Sequence, residues 1–328
     1  MILAGIDIGT LTCRLLIAHL SSDGQLTELH AERRLLRLGE GVDRHHLLHP
    51  AAMARAVETL KAWRHIIDAY HVDREIAVAT SAVRDANNRK EFLALIKREA
   101  AFSVKILSGE EEARRTLLGI RSGLPSGIEH VLALDIGGGS TECIVDRPGE
   151  SPIVRSFDIG AVRLTERCLT HDPPTPPEVE AAKDLVRASM DKVKPILQHL
   201  DGTVCVGTAG TITTIAAMVQ RLQTLDHAHI HLYRLNVQDI VRLERELLSI
   251  TSGERRGMPG LESGREGVIV AGVIILRTAM SSLGLSNCLV SDYGLREGVL
   301  LDVAKRVRHD GPSNSTDCSV VGAPVHEP

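Results

Sequence analysis

One short phrase occurs twice in this chain, and its residues are of the types that handle phosphate groups. Strand-like apolar residues run into Asp-Ile-Gly and a small hydroxylated loop at Asp7, and again at Asp135. Glycine lets backbone N–H groups approach an anion closely, and an Asp from each copy could share a divalent cation. The repeat predicts two similar halves, each with a phosphate-binding loop in a β-hairpin, and the two loops facing each other.

Three further segments carry residues suited to the same chemistry. VGTAGTITTIAA, from Val206, is typical of a strand, a glycine-rich turn and an apolar helix, which makes it a third candidate phosphate loop. Arg84 lies between a strand and a helix, where it could form bidentate contacts with phosphate. SGEEEAR, from Ser108, places three glutamates in a first helical turn. Because the helix dipole favours acidic residues there, at least two of the three are expected to be structural.

The composition narrows the class of protein. With 328 residues, 43% of them hydrophobic, the chain is long enough for two domains with their own cores. Aromatic residues make up 2% and the formal net charge is −4, both of which argue against nucleic-acid binding. The six cysteines form no CxxC pair, which favours reduced thiols. Since no apolar stretch is long enough to span a membrane, we expect a cytoplasmic protein.

Strands and helices that alternate along the chain must position these residues. Apolar residues at helical spacing predict helices at residues 50–70, 178–200, 237–252 and 266–283. A strand is expected near FDIGAVRLTER, and the turn-rich segment 122–130 is the best domain boundary. This alternation predicts an α/β protein.

Six phrases, in this order and spacing, resemble those of one protein family. They are GIDIGTLTCRLLIA, ATSAVRDANN, ILSGEEEAR, LDIGGGSTE, VGTAGTITTIAA and SDYGLREGVL. Together they resemble the exopolyphosphatase and guanosine pentaphosphate phosphohydrolase (Ppx/GppA) family, from residue 1 to about residue 308. The length is similar to that of the short members, which have two domains.

The resemblance implies an α/β fold of two actin-like, ribonuclease H-like domains that flank a central interdomain cleft. The first domain would comprise residues 1–124 plus 299–310 and the second residues 125–298, with residues 311–328 as a disordered tail. Mg²⁺, or else Mn²⁺, would be the cofactor, and a homodimer is expected. The substrate would be inorganic polyphosphate or guanosine pentaphosphate, with neither nucleic acid nor membrane as a partner.

The resemblance also implies roles for individual residues. Glu112 falls at the position of the catalytic base, where a carboxylate could take a proton from a water aligned with the terminal phosphoryl group. The cation would be held by Asp7, Asp135 and Glu142. The expected phosphate contacts are Gly9, Thr10, Thr12, Arg84, Gly137, Gly138, Gly139, Ser140, Thr141, Gly207, Thr208, Ala209, Gly210, His231 and Arg265.

One residue departs from the family pattern. Leu11 stands where many members have Asn, so Thr10, Thr12 and backbone amides must supply the polar contacts of the first loop. The expected reaction is hydrolysis of a terminal phosphoanhydride in the cleft. Polyphosphate is the first choice of substrate, because the sequence shows no obvious motif that would read a nucleobase. Two alternatives remain open: an actin-like kinase for a small molecule, and a non-catalytic sensor of guanosine tetra- or pentaphosphate.

Overall fold

A five-stranded β-sheet organises the first part of the chain. The computed structural model describes residues 1–197, 202–224 and 226–310, and for residues 307–310 only the backbone. The strands of this sheet are β1 (Ile2–Ile8), β2 (Thr12–Leu20), β3 (Leu26–Leu35), β4 (Arg74–Ala79) and β5 (Val104–Ile106). They lie side by side in the order β3-β2-β1-β4-β5.

A second sheet repeats this architecture. Its strands are β6 (Val131–Ile136), β7 (Thr141–Asp146), β8 (Ile153–Phe157), β9 (Val204–Thr208), β10 (Arg234–Asn236) and β11 (Asn287–Val290). Their order, β8-β7-β6-β9-β11, matches that of the first sheet, and β10 is added at the far edge. In both sheets the Asp-Ile-Gly hairpin pairs antiparallel and its first strand pairs parallel with the next one. The repeated phrase therefore corresponds to a repeated fold, as the sequence predicts.

Helices cover both sheets. They are α1 (Val42–His45), α2 (Pro50–Ala69), α3 (Ser81–Asp85), α4 (Arg89–Ala100), α5 (Gly109–Gly123), α6 (Ala161–Cys168), α7 (Pro176–Asp191), α8 (Ala209–Val219), α9 (His227–Ile230), α10 (Val237–Leu248), α11 (Ser252–Arg255), α12 (Ile269–Ser282) and α13 (Leu295–Asp310), with a 3₁₀ turn at Lys194–Leu197. None of the helices in these described ranges has both the length and the apolar character that crossing a membrane requires.

Three predicted elements differ from the structure. The strand expected near FDIGAVRLTER ends at Phe157, and Ala161–Cys168 form α6, whose first N–H groups find carbonyl partners in the loop after β6. The helix predicted at 237–252 is split, because Thr251 caps a new helix, α11. The helix predicted at 178–200 ends at Asp191. Residues 198–200, Cys318 and the predicted tail 311–328 lie outside the described residues; the other five cysteines are free.

Two helices are exchanged between the halves. α5 follows the first sheet but packs on the second, where Ala113, Leu117 and Ile120 share a buried cluster with β6, β7 and β9. α13 follows the second sheet but packs on β1 and β2. The two helices cross at Gly119 and Gly298: an added Cβ on Gly119 would overlap Gly294 O, just before α13, and one on Gly298 would overlap Arg115 O of α5. The division into residues 1–124 plus 299–310 and residues 125–298 stays a prediction; at this crossing Gly119 of the first part lies close to Gly298 of the second.

Candidate active site

The loops that follow β1, β6 and β9 meet at a cavity of about 80 Å³ between the two sheets. The predicted site residues that line it are Asp7, Gly9, Thr10, Thr12, Glu112, Asp135, Gly137, Gly138, Gly139, Ser140, Thr208, Ala209, Gly210 and Arg265. The predicted residues outside the lining are Arg84, Thr141, Glu142, Gly207 and His231. Sequence patterns from distant parts of the chain therefore converge on one cavity.

The first loop is a tight turn between β1 and β2. The Gly9 N–H donates to Thr12 O at 3.1 Å, and a Cβ on Gly9 would lie 2.8 Å from the same oxygen, so this turn requires glycine. Leu11, which is 5% exposed, packs close to Gly138 of the second loop. Its backbone carbonyl accepts N–H groups from Leu36 and Arg37. Leu11 thus supplies an apolar contact between the two loops, not a polar contact to a ligand.

Hydrogen bonds from α6 hold the second loop in place. Donors of α6 occupy the loop carbonyls: Ala161 N–H to Gly137 O at 3.0 Å, Val162 N–H to Gly138 O at 2.8 Å and Arg163 Nε to Gly139 O at 2.8 Å. Because C=O and N–H of a trans peptide point in opposite directions, the next N–H groups in the loop point away from α6. A concave set of free N–H groups is what an anion-binding nest requires.

The third loop joins β9 to the N-terminus of α8. A Cβ on Gly210 would lie 2.5 Å from Arg265 Nη2 and 2.9 Å from Arg14 Nη2, so glycine lets both guanidinium groups approach this helix end. Arg265 also donates from Nη2 to Thr12 Oγ1 at 3.1 Å, across the two halves. Gly207 lies farther back, against Cys288 and Ile212. A helix N-terminus with two arginines beside it is a site for a phosphate group.

Sequence reasoning missed Arg14, although it lines the cavity. Residues two apart on a strand share a face, and Arg14 follows Thr12 on β2 at that spacing. The two-residue period of a strand is therefore the sequence signal that could have identified Arg14.

The three glutamates of SGEEEAR have different surroundings. Glu111 forms a capping box with Ser108, and Glu110 forms an exposed ion pair with Arg114 at 2.7 Å. Glu112 points inward, is 8% exposed and lines the cavity. One turn later on α5, Thr116 donates its hydroxyl to Asp135 Oδ2 at 3.1 Å. The helix therefore brings one carboxylate and one hydroxyl to the same buried site.

Burial and mutual repulsion perturb the acidic groups. Burial raises the pKa of Glu112 well above its usual value, and the negative charges of Glu142 and Asp135 add to this. The Arg84 guanidinium, 3.2 Å away, acts in the opposite direction and lowers the pKa. Burial raises the pKa of Glu142 to about 8, and the charge of Asp135 adds to this. Burial raises the pKa of Asp7 to about 6, although the positive charge of Arg14 acts to lower it. Such clusters of buried acids are typical of catalytic or cation-binding sites.

The donor set fits a cation of the Mg²⁺ type only in part. Asp7 Oδ1 is buried without a hydrogen-bond partner, and Asp135 lines the same cavity. Glu142 lies directly opposite Asp135 in the hairpin, but its carboxylate accepts a hydrogen bond from Ser156 Oγ at 2.7 Å. Within the described ranges, no three His, Cys, Asp or Glu residues are close enough to hold an ion together. Mg²⁺ is commonly bound through one or two carboxylates together with waters and substrate phosphates, which this arrangement allows.

The remaining predicted residues contact protein groups. Arg84 donates to Glu112 Oε2 and, at 2.9 Å, to Leu107 O. Thr141 donates to Ile159 O at 2.5 Å. His231 Nε2 lies 3.0 Å from Gly123 O, and its ring is stacked on His227. Their proposed phosphate contacts stay predictions.

The comparison with known proteins identifies the family. The model of the Ppx/GppA phosphatase family matches residues 17–307. The chain belongs to this family. A Ppx/GppA phosphatase is a phosphoanhydride hydrolase, so the enzyme class implied by the resemblance is confirmed.

Relatives of this Ppx/GppA phosphatase match it over nearly their whole length. Exopolyphosphatase 2 of Mycobacterium tuberculosis is 35% identical over 318 residues, which cover 92% of this chain and 98% of that protein. The crystal structure of the Aquifex aeolicus family member is 34% identical, with a TM-score of 0.79, and covers 93% of this chain and 98% of that one. An exopolyphosphatase from Cytophaga hutchinsonii is 30% identical with a TM-score of 0.86, over 94% and 99% of the two chains. The predicted α/β fold of the family is therefore confirmed.

In this Ppx/GppA phosphatase a second cavity, of about 560 Å³, adjoins the first, and Arg14 lines both. Three arginines and four carboxylates are among the residues that line it: Arg14, Arg33, Arg296, Glu28, Glu32, Asp292 and Glu297. Tyr293 and His227 also line it, and their ring centroids lie 5.4 Å apart. The space beyond the first cavity is therefore large, charged and bordered by rings that are far apart in sequence.

Proposed function

We propose that this Ppx/GppA phosphatase releases terminal orthophosphate from inorganic polyphosphate in a Mg²⁺-dependent reaction. The observation that carries the proposal is the inward-facing carboxylate of Glu112 in the small cavity lined by the three glycine-rich loops. Relatives named exopolyphosphatase, similar over more than nine tenths of the chain, support the choice of polyphosphate.

The terminal phosphoryl group would bind among the loops. Backbone N–H groups of the second loop, the N-terminus of α8, and the guanidinium groups of Arg14 and Arg265 all border this space. With the halves closed, as in this structure, these donors would already be in place and would stabilise the negative charge of the transition state without reorganising.

Glu112 would position the attacking water and take its proton. A carboxylate with a raised pKa is a stronger base once it is deprotonated. Arg84, 3.2 Å from Glu112, would hold the side chain in place and favour the ionised form. Asp7 and Asp135 would hold Mg²⁺, or Mn²⁺, with Glu142 behind Asp135; the cation would offset charge on the phosphates.

Guanosine pentaphosphate is a second candidate substrate. It presents the same kind of terminal phosphate, and the cavity of about 560 Å³ has room for the rest of the molecule. The rings of Tyr293 and His227 offer a surface for stacking a nucleobase, which the sequence alone did not show. Polyphosphate remains the first choice because of the named relatives.

The deciding experiment measures phosphate release from polyphosphate, guanosine pentaphosphate and ATP, with and without Mg²⁺, for the intact protein and for Glu112→Gln. We expect Mg²⁺-dependent release that falls by about 10²- to 10⁴-fold in Glu112→Gln, with pyrophosphate binding retained. Glu110→Gln, in the same helical turn but on the surface, is the matched control and should keep full activity.

Two results would overturn the proposal. Binding of these ligands without phosphate release would favour the sensor alternative. Full activity in Glu112→Gln would remove this residue as the base. A homodimer and a cytoplasmic location also stay proposals; light scattering of the purified protein tests the first.

A further inference from the structure

Arg163 of α6 contacts both halves of the molecule. It is 8% exposed, although its side chain carries a full positive charge. The sequence phrase that contains it, GAVRLTER, has no role in the function proposed so far. Because a buried charge is strongly unfavourable unless it is paired and hydrogen-bonded, the partners of Arg163 indicate its purpose.

The guanidinium group has four partners. Nε donates to Gly139 O in the second phosphate loop at 2.8 Å. The other two nitrogens bind residues of the first half: Nη1 binds Asp43 Oδ1 at 2.5 Å, and Nη2 binds Asp85 and, at 3.2 Å, Ser81 Oγ. One rigid group therefore links the shape of a phosphate loop to the position of the opposite half.

Neighbouring contacts support the same closed arrangement. Arg167, one turn later on α6, binds both oxygens of Asp43 at 2.6 and 2.7 Å. Glu166 accepts the N–H of Gly41 at 2.8 Å. The loops also touch, since a Cβ on Gly138 would lie 3.1 Å from Thr10 Cβ.

We propose that Arg163 is a positioning residue that fixes the second phosphate loop when the two halves are closed. With Asp43 and Asp85 in place, the planar fork is held in one orientation, and Nε fixes the carbonyl of Gly139. When the halves separate, the guanidinium loses both carboxylates, and the loop loses its fixed donor. The N–H groups that face the transferred phosphoryl group would thus reach their working geometry only in the closed molecule. The kinetic part of this inference rests on the proposed hydrolase function.

The kinetic test uses Arg163→Lys and Asp43→Asn. Lysine keeps the charge but cannot bind Gly139 O and both carboxylates at once. We expect kcat for phosphate release to fall by about 10- to 100-fold in Arg163→Lys, with KM changed less than about threefold, because the loss affects the transition state. Asp43→Asn should lower kcat in the same way, and the double variant should be no worse than Arg163→Lys, since both act through one contact network.

The control is Arg187→Met, which removes a surface arginine of α7 that pairs with Glu180 and Asp184. Its kinetics should be unchanged.

A second readout does not depend on activity. Amide hydrogen exchange should become faster at Gly41, Ala161 and Val162 in both variants, because these N–H groups bond across the closed contact or to the loop. The rest of the molecule should exchange as in the intact protein. If no substrate is hydrolysed at all, this measurement still tests the closed contact.

Three outcomes would overturn the proposal. The first is unchanged kcat in Arg163→Lys. The second is additive loss in the double variant, which would make Asp43 and Arg163 independent. The third is faster exchange throughout the molecule together with lost activity, which would give Arg163 a purely structural role.

Discussion

The buried acids of the cavity have more affinity for protons in the folded than in the unfolded chain. The pKa of Asp7 is raised to about 6 and that of Glu142 to about 8, mainly by burial. The stability that such groups contribute is complete below their unfolded values of 3.8 and 4.5, and is lost as the pH rises through the raised values. Without divalent cations, the free energy of unfolding should therefore fall between about pH 4.5 and pH 8.

Urea denaturation at several pH values checks this prediction, and Glu142→Gln serves as the comparison. The variant should show a shallower decline, because one of the titrating groups is gone. Burial lowers the pKa of His231, so this residue also makes stability depend on pH. Its contribution is common to both proteins and cancels when one profile is subtracted from the other. Mg²⁺ added at pH 8 should restore stability by binding the ionised carboxylates. A profile that rises with pH would contradict the electrostatics described for the cavity.

Arg14 gives a second prediction at the residue scale. It lines both cavities and shares the N-terminus of α8 with Arg265, so its guanidinium group can contact two phosphates of one substrate. Arg14→Lys should lower kcat/KM for polyphosphate by about 10- to 100-fold, since lysine lacks the fork. Steady-state kinetics measure this, and Arg34→Lys, on an exposed part of β3, should have no effect. Equal activity of the two variants would contradict the prediction.

The residues of the site were predictable where local chemistry requires a residue type. Asp7 ends its strand beside the first loop, and at Gly9 and Gly138 an added Cβ would crowd neighbouring atoms, so the Asp-Ile-Gly motif marks these positions in the sequence. Arg14 was missed because its position depends on the face of β2, which a motif does not record. The predicted phosphate contact of Arg84 stays a prediction, and its hydrogen bond to Glu112 could not be predicted from the sequence. A side chain with several possible partners is not assigned by sequence alone.

At the scale of elements, α5 and α13 approach each other closely where they cross. A Cβ on Gly298 would overlap Arg115 O, and Arg115 also binds Asp302 of α13 at 3.0 Å. Gly298→Ala should lower the free energy of unfolding by about 1–3 kcal/mol, because the helices must move apart. It should also lower kcat, since α5 carries Glu112 less than one turn from Arg115.

Thermal or urea denaturation measures the first effect. Gly267→Ala is the matched control. It should leave the free energy of unfolding unchanged, because nothing lies within 4 Å of the added Cβ. Helix propensity alone favours alanine over glycine by about 1 kcal/mol. A stabilising effect of Gly298→Ala would therefore show that the crossing is looser than described.

Elements set by local pattern were predicted well, and those set by tertiary contacts were not. α2 and α12 follow their apolar periodicity closely. α6 is different, because its first N–H groups are satisfied by the carbonyls of a loop more than twenty residues earlier. The exchange of α5 and α13 likewise depends on which sheet each helix meets, and the sequence order suggests the opposite assignment for α5.

At the scale of the whole molecule, the small cavity lined by the three loops adjoins a much larger one. The larger cavity, of about 560 Å³, shares Arg14 with the smaller one. A space of about 80 Å³ is small, as expected if the proposed substrate enters it with one terminal phosphoryl group. Polyphosphate with both ends blocked as alkyl esters should therefore release phosphate at least about 100-fold more slowly than free-ended chains, since the reacting group must be terminal. Release of phosphate and the lengths of the product chains should be measured for both substrates side by side. Comparable release from the two, with the ladder of shorter chains that internal cleavage gives, would mean that the cleft opens much wider during turnover.

The last described helix also covers the first strands. Leu3, Leu16 and Leu20 of β1 and β2 are buried against Leu300 and Ala304 of α13. On a ribosome the strands emerge first, so their outer apolar face stays uncovered until nearly all of the described chain has been translated. During that interval the nascent chain offers a binding surface for chaperones. The first sheet is therefore fully covered only after the second half has been made, although all three phosphate-binding loops are translated before α13.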